Sequence, residues 1–160
     1  MSVVAQGIDL IECSRIASMR ERHGERFLSR ILTSREQAYV AQFKDPVQRI
    51  AGRFAAKEAI LKMLGTGWVG DIAWTDMEIV NDPAGVPQVS LSGRCAEIAG
   101  TLGIARVLLS ITHTADYAAA SAIGVGGRRH EAYSAEAAAS AAKAGGTEAR
   151  RHEGIADCGL

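Results

Sequence analysis

Between Asp45 and Gly67 the sequence writes out one helix with its own start and stop, and with a charge set among its apolar positions. Asp45-Pro46-Val47-Gln48 supplies an N-cap, a proline at the first helical position and an amide at the third. Apolar residues then recur at Val47, Ile50, Ala51, Phe54 and Leu61, the spacing of one buried stripe, and a helix reaching about residue 64 would be closed by Gly65. Glu58 falls on that stripe, four residues after Phe54. A carboxylate facing a core costs several kcal/mol unless it is paired or holds a metal. The commoner arrangement on a helix is an ion pair with Lys62 one turn on, worth a few tenths of a kcal/mol when exposed.

The remaining chain punctuates cleanly around this helix. Residues 3–11 read as a strand, with Val4, Ile8 and Leu10 on one face and Val3, Ala5, Asp9 and Ile11 on the other. Asp9 fits either a cap for the following helix or a ligand. That helix is expected from Ser14 as N-cap to Gly24 as terminator, and Thr33-Ser34-Arg35-Glu36 has the form of a capping box opening another. Residues 74–80 and 86–91 read as strands around the turn cluster Asn81-Asp82-Pro83-Ala84-Gly85. A helix at 92–102 ends at Gly103. Strands at 104–111 and 117–123 flank Thr112-His113-Thr114-Ala115-Asp116. Helices grouped early and antiparallel strands grouped late define an α+β domain, an antiparallel sheet with packed helices.

A length of 160 residues allows one domain with a real core. The formal charge is zero, which removes any global argument for nucleic acid or a membrane surface. Locally, residues 1–62 hold 11 Lys/Arg against 7 Asp/Glu, and residues 63–124 hold 2 against 6. The basic first half fits either an ordinary solvated surface or one that meets an acidic partner or a phosphorylated ligand. Cys13, Cys95 and Cys158 are odd in number and scattered, against a disulfide framework or a zinc site. No signal peptide and no 18-residue apolar run is read, and a cytoplasmic location is expected. After Gly124 the composition turns to Ala, Gly, Arg and Glu, so residues 1–124 are expected to form the folded domain and 125–160 a tail without a packed core.

Two carboxylates, Asp9 and Glu58, beside Lys62 are what phosphoryl chemistry on a magnesium-bound diphosphate requires, because Mg²⁺ takes one or two protein carboxylates and completes its shell with phosphates and water. Gly65-Thr66-Gly67 is either a plain C-cap or a turn whose N–H groups, with Lys62, meet a phosphate against the helix dipole. His113 is either a loop histidine or a donor to a phosphate oxygen. Arg15, Arg22 and Arg26 fall on one face if their helix is continuous, a solvated basic face or a docking surface.

Over residues 4–124 the chain resembles the holo-(acyl-carrier-protein) synthases, the short 4′-phosphopantetheinyl transferases. The resemblance rests on Gly7-Ile8-Asp9, Arg15, Arg53 to Ala59 with Lys62 and Gly65-Thr66-Gly67, Met77-Glu78-Ile79, Gly85-Val86-Pro87, Leu91-Ser92-Gly93, Ser110-Ile111-Thr112-His113-Thr114 and Tyr117 to Ala120. Thr112 stands where that family usually has serine. The resemblance implies that family's fold, Mg²⁺ on Asp9 and Glu58, and coenzyme A along Lys62, Gly65, Thr66, Gly67, Pro87, His113 and Thr114. It further implies an acidic acyl carrier protein docking at Arg15, Arg22 and Arg26, and a homotrimer with sites between neighbours. The implied reaction is attack of a carrier serine on the β-phosphate, releasing 3′,5′-ADP, with Lys62 steadying the leaving group and Glu58 or a metal-bound water as base. A non-catalytic coenzyme A- or nucleotide-binding relative is the alternative.

Overall fold

A computed structural model describes residues 2–67 and 71–127, and the tail expected at 125–160 lies outside the described residues from 128 on. The chain runs β1 (Val3–Glu12), α1 (Cys13–Ile31), α2 (Ser34–Val40), α3 (Val47–Leu64), a 3₁₀ turn (Trp74–Asp76), β2 (Met77–Asn81), β3 (Pro87–Leu91), α4 (Gly93–Thr101), β4 (Ile104–His113) and β5 (Tyr117–Gly126). The expected α+β order is what forms. The boundary expected at 124 falls inside β5, whose last residues pair as Val3↔Val125 and Ile104↔Gly126.

The sheet that organises the molecule has the order β1-β5-β4, antiparallel throughout, and β2 and β3 form a separate hairpin. On its inner face Ala118, Ala120 and Ala122 of β5 are almost fully buried. Such small side chains let α3 lie close on the sheet. The single apolar stripe expected for α3 understates its burial: Ile50, Ala51, Ala55, Ala56, Ala59, Ile60 and Leu61 are all fully buried, so the helix is enclosed on nearly every side. Alanine accounts for this, since it adds little bulk on the faces the stripe left open and remains a strong helix former. Asp45 Oδ1 accepts the Val47 N–H at 3.1 Å, but the regular helix starts at Val47, so its N-cap is Pro46, without a side-chain cap bond, and the expected Asp45 lies one residue before it.

β4 runs on to His113 and β5 to Gly126, past the expected 111 and 123, and three further boundaries differ from expectation. Helix α1 begins at Cys13, one residue before Ser14, and its N-cap Glu12 makes no side-chain cap bond. It does not end at Gly24. Gly24 breaks the helix with φ 51° and ψ −132°, and the chain resumes a helical path that buries Phe27 and Ile31. Glycine alone takes that backbone at low cost, so it acts as a kink, and the apolar residues beyond it hold the second segment down. Residues 74–76 form a 3₁₀ turn, and the strand expected from 74 starts at Met77. The Thr33 capping box is present as read: Thr33 Oγ1 accepts the Glu36 N–H at 3.3 Å, and Glu36 accepts the Thr33 N–H at 2.8 Å.

Candidate active site

Gly7 explains how the strand and helix motifs come together. A Cβ at this position would lie 2.0 Å from Ala59 O and 2.6 Å from Met63 N, so β1 touches the backbone of α3 directly. Two residues on, and on the same face, Asp9 points at the same stretch of helix. Lys62 reaches across to β1, donating to Asp9 Oδ1 at 2.8 Å and to Ile8 O at 3.1 Å, instead of turning back along its helix to Glu58. The Asp9 side chain is 15% exposed and that of Lys62 51%. The site is therefore half open to incoming ligand.

Glu58 completes this group. Burial first, then the charge of Asp9, pushes its carboxyl above the ordinary glutamate range, while Lys62 and Arg15 pull it down. The Lys62 ammonium is raised, chiefly by its hydrogen bond to Asp9. Two hard oxygen donors that repel one another, flanked by cations, fit a magnesium ion that brings most of its shell as water and phosphate. Among the described residues no cluster of three or more His, Cys, Asp or Glu side chains could hold a metal, so two carboxylates are what the chain offers.

The other expected residues divide. Gly65 ends α3 in the left-handed conformation, φ 75°, and its N–H bonds to Leu61 O and Lys62 O, with Thr66 N–H also turned onto Leu61 O at 3.3 Å. These N–H groups serve the C-cap in this state, and Thr66 Oγ1 bonds Gly67 O at 2.9 Å. Pro87 and His113 line a separate cavity of about 220 Å³ beneath β4 and the β2–β3 turn. Thr114 is not among its lining residues. Its hydroxyl accepts the Asp116 and Tyr117 N–H groups and closes the β4–β5 turn. Arg15, Arg22 and Arg26 are all exposed, but the kink at Gly24 separates Arg26 from the continuous helical face that Arg15 and Arg22 share.

Arg49 and Arg53 line the same cavity as His113, and neither was singled out as a ligand from the sequence. Arg49 Nη1 lies 2.6 Å from His113 Nε2. A guanidinium only donates, so Nε2 accepts and the imidazole proton sits on Nδ1. Arg53 is 4% exposed, stacks over the Tyr39 ring at 4.0 Å, donates to Asn81 Oδ1 at 3.2 Å, and keeps a buried Nε with no partner. Burial works against its charge, opposed first by Glu36. A cationic cavity with an unsatisfied donor suits an anion. The available signal was the row Arg49, Arg53, Lys57, three basic residues at helical spacing of four.

An acidic pair with a lysine on one side of α3 and a guanidinium-lined cavity on the other define an α+β protein built to handle phosphate esters. The family model described as "4'-phosphopantetheinyl transferase superfamily" matches residues 5–122. The chain is 44% identical to a holo-[acyl-carrier-protein] synthase of Koribacter versatilis over 121 residues, 76% of this chain and 97% of that protein. It is 43% identical to one of Chlamydia pneumoniae, covering 77% and 98%. Among solved structures, the holo-[acyl-carrier-protein] synthase of Neisseria meningitidis superposes with a TM-score of 0.71 at 31% identity, covering 78% and 99%. That of Helicobacter pylori, in complex with coenzyme A, superposes with a TM-score of 0.67 at 32% identity, covering 75% and 99%. The chain belongs to the 4′-phosphopantetheinyl transferase superfamily, as an enzyme of its holo-[acyl-carrier-protein] synthase family.

Proposed function

We propose that this transferase moves 4′-phosphopantetheine from coenzyme A to a serine of an acyl carrier protein and releases 3′,5′-ADP. The observation that carries the reading is the Asp9–Lys62 contact at 2.8 Å on the flank of α3 where Glu58 also faces Asp9. The serine oxygen forms the new bond to the β-phosphorus as the bond to the α-phosphate oxygen breaks. The leaving 3′,5′-ADP carries away the electron pair and the serine proton goes to a base. Asp9 and Glu58 would hold Mg²⁺, which when bound neutralises charge on the diphosphate. Lys62 lies where its ammonium can meet charge growing on the leaving phosphate. Glu58 is the candidate base for the serine proton. Arg49, Arg53 and His113 supply donors for a second phosphate group of the same molecule, with Pro87 on the cavity wall.

Arg15 and Arg22 form the basic face on which an acidic carrier would dock. Assembly as a homotrimer is supported by the outer face of the main sheet. Ile8 is 63% exposed and Leu10 64%, Leu108 and Tyr117 share their side, and the described chain leaves this face uncovered. Residues 1–124, with β5 continuing to Gly126, are proposed as the catalytic domain. Among the described residues no helix is long and apolar enough to cross a membrane, in keeping with a cytoplasmic enzyme. The test is mass spectrometry of an apo-carrier protein incubated with the chain, coenzyme A and Mg²⁺. A gain of one phosphopantetheine mass per carrier is expected, and an unchanged carrier mass refutes the reading.

A further inference from the structure

Lys57 and Glu36 belong to neither the acidic group nor the cavity, yet they are the most deeply buried charges in the described chain, both with fully buried side chains. The Lys57 ammonium donates to Ile31 O at 2.6 Å, to Glu36 Oε2 at 2.7 Å and to Trp74 O at 3.1 Å. Three protons meet three acceptors. Glu36 is held in turn by the Thr33 N–H at 2.8 Å and the Ile79 N–H at 3.1 Å. One side chain of α3 is thereby tied to the end of α1, the start of α2, the 3₁₀ turn before β2, and through Glu36 to β2 itself. Burial pushes the Lys57 ammonium down and Glu36 pushes it back up.

We propose that Lys57 is a positioning residue, whose clamp fixes the rotation of α3 about its own axis and so keeps the Glu58 carboxylate beside Asp9. The proposal rests on the reading of Asp9 and Glu58 as the site of transfer. Successive helix residues point about 100° apart, so with Lys57 drawn toward α1 and α2, Glu58 turns toward β1. There the helix meets its second restraint, the direct backbone contact at Gly7. Side chains ride about 5–6 Å from a helix axis, and a rotation of roughly 10° therefore carries a carboxylate about 1 Å. A misplacement of that size is enough for about a hundredfold loss of rate. An apolar residue could fill the same space, but it would not set an angle. Buried ion pairs are weak stabilisers, and their better-attested use is to specify one arrangement.

The test compares wild type with Lys57→Met, Glu36→Gln and the double variant Glu36→Gln/Lys57→Met. The double variant leaves no unpaired charge, and Glu36→Gln keeps an acceptor for the Ile79 N–H, so a folded protein remains available if Lys57→Met alone unfolds. Each is read by thermal melting, by turnover with coenzyme A and carrier varied separately, and by Mn²⁺ binding followed by electron paramagnetic resonance with coenzyme A present and carrier absent. The clamp predicts cooperative melting, kcat reduced by tenfold or more, carrier KM within twofold, and Mn²⁺ binding weakened about tenfold. A variant that melts lower but keeps wild-type kcat and Mn²⁺ affinity overturns the proposal, and so does a fall in kcat with Mn²⁺ binding intact. Wild type that neither transfers nor binds Mn²⁺ overturns instead the reading on which the proposal rests.

Discussion

Gly7→Ala tests the strand–helix contact at the one point where the structure gives it no slack. The added Cβ would sit 2.0 Å from Ala59 O and 2.6 Å from Met63 N, both backbone atoms that no rotamer can move aside. Ordinary contact begins near 3.4 Å, so β1 must draw back from α3 by about 1.4 Å or α3 must distort. Overpacking of this kind costs about 1–3 kcal/mol, and a backbone-to-backbone clash belongs at the upper end. For a domain of this size roughly 4 °C of melting temperature is lost per kcal/mol, which gives a fall of about 10 °C. The same displacement pulls Asp9 away from Lys62, now 2.8 Å apart, and from Glu58, so transfer should fall about a hundredfold even well below the melting point. Gly100→Ala is the control: it lies within α4, has nothing within 4 Å of its would-be Cβ, and should leave stability equal or slightly improved. Circular dichroism melts and carrier mass spectrometry on both variants decide the matter. A Gly7→Ala protein that melts within 2 °C of wild type and keeps its rate would refute the close approach as the origin of the site.

Glu58→Gln should raise the melting temperature at pH 7. The folded-state carboxyl is raised, so wild-type stability falls as pH climbs from the ordinary glutamate value of about 4.3 through the raised one, and melts at pH 4 and pH 7 should show the difference closing at the acid end. Arg22→Glu should raise carrier KM tenfold or more at low salt with coenzyme A KM unchanged, whereas Arg15→Glu should also lower kcat because Arg15 acts electrostatically on Glu58. Steady-state kinetics at two ionic strengths check this, and equal effects on both substrates remove the docking role. Co-refolding Glu58→Ala with an inactive His113→Ala variant should restore roughly a quarter of wild-type activity if sites are shared between subunits, and none in demonstrated mixed trimers if each site is built within one chain.

What the sequence made legible was local chemistry: caps, turns and the period of the apolar residues. The Thr33–Glu36 box formed as written, because it is decided by side chains reaching their own backbone within three residues, whereas Asp45 bonds the Val47 N–H from one residue before the N-cap Pro46. Gly24 was legible as a break but not as a kink, since what carries the chain onward is the burial of Phe27 and Ile31 against elements far away in sequence. The same limit hid the row Arg49, Arg53 and Lys57. On a helix taken alone, basic residues four apart read as a solvated face. Only an enclosed helix turns them into a buried clamp and a cavity wall.

The motif residues were also legible in order but not in side. Asp9 lies on β1 and His113 on β4, opposite edges of one three-stranded sheet, and both belong to the face on which α3 packs. The two edges are about 10 Å apart, two strand spacings, and α3 itself is about 10 Å across with its side chains. The buried helix therefore fills the space between them. Lys62 and Glu58 leave it on the side of Asp9, and Arg49 and Arg53 leave it on the side of His113. One molecule of coenzyme A reaching both groups within a single chain would have to pass around a helix that has almost no free surface. The shared-site arrangement proposed above removes the detour, because the His113 edge of a second copy would meet the first copy's Asp9 across the β1 edge of the sheet.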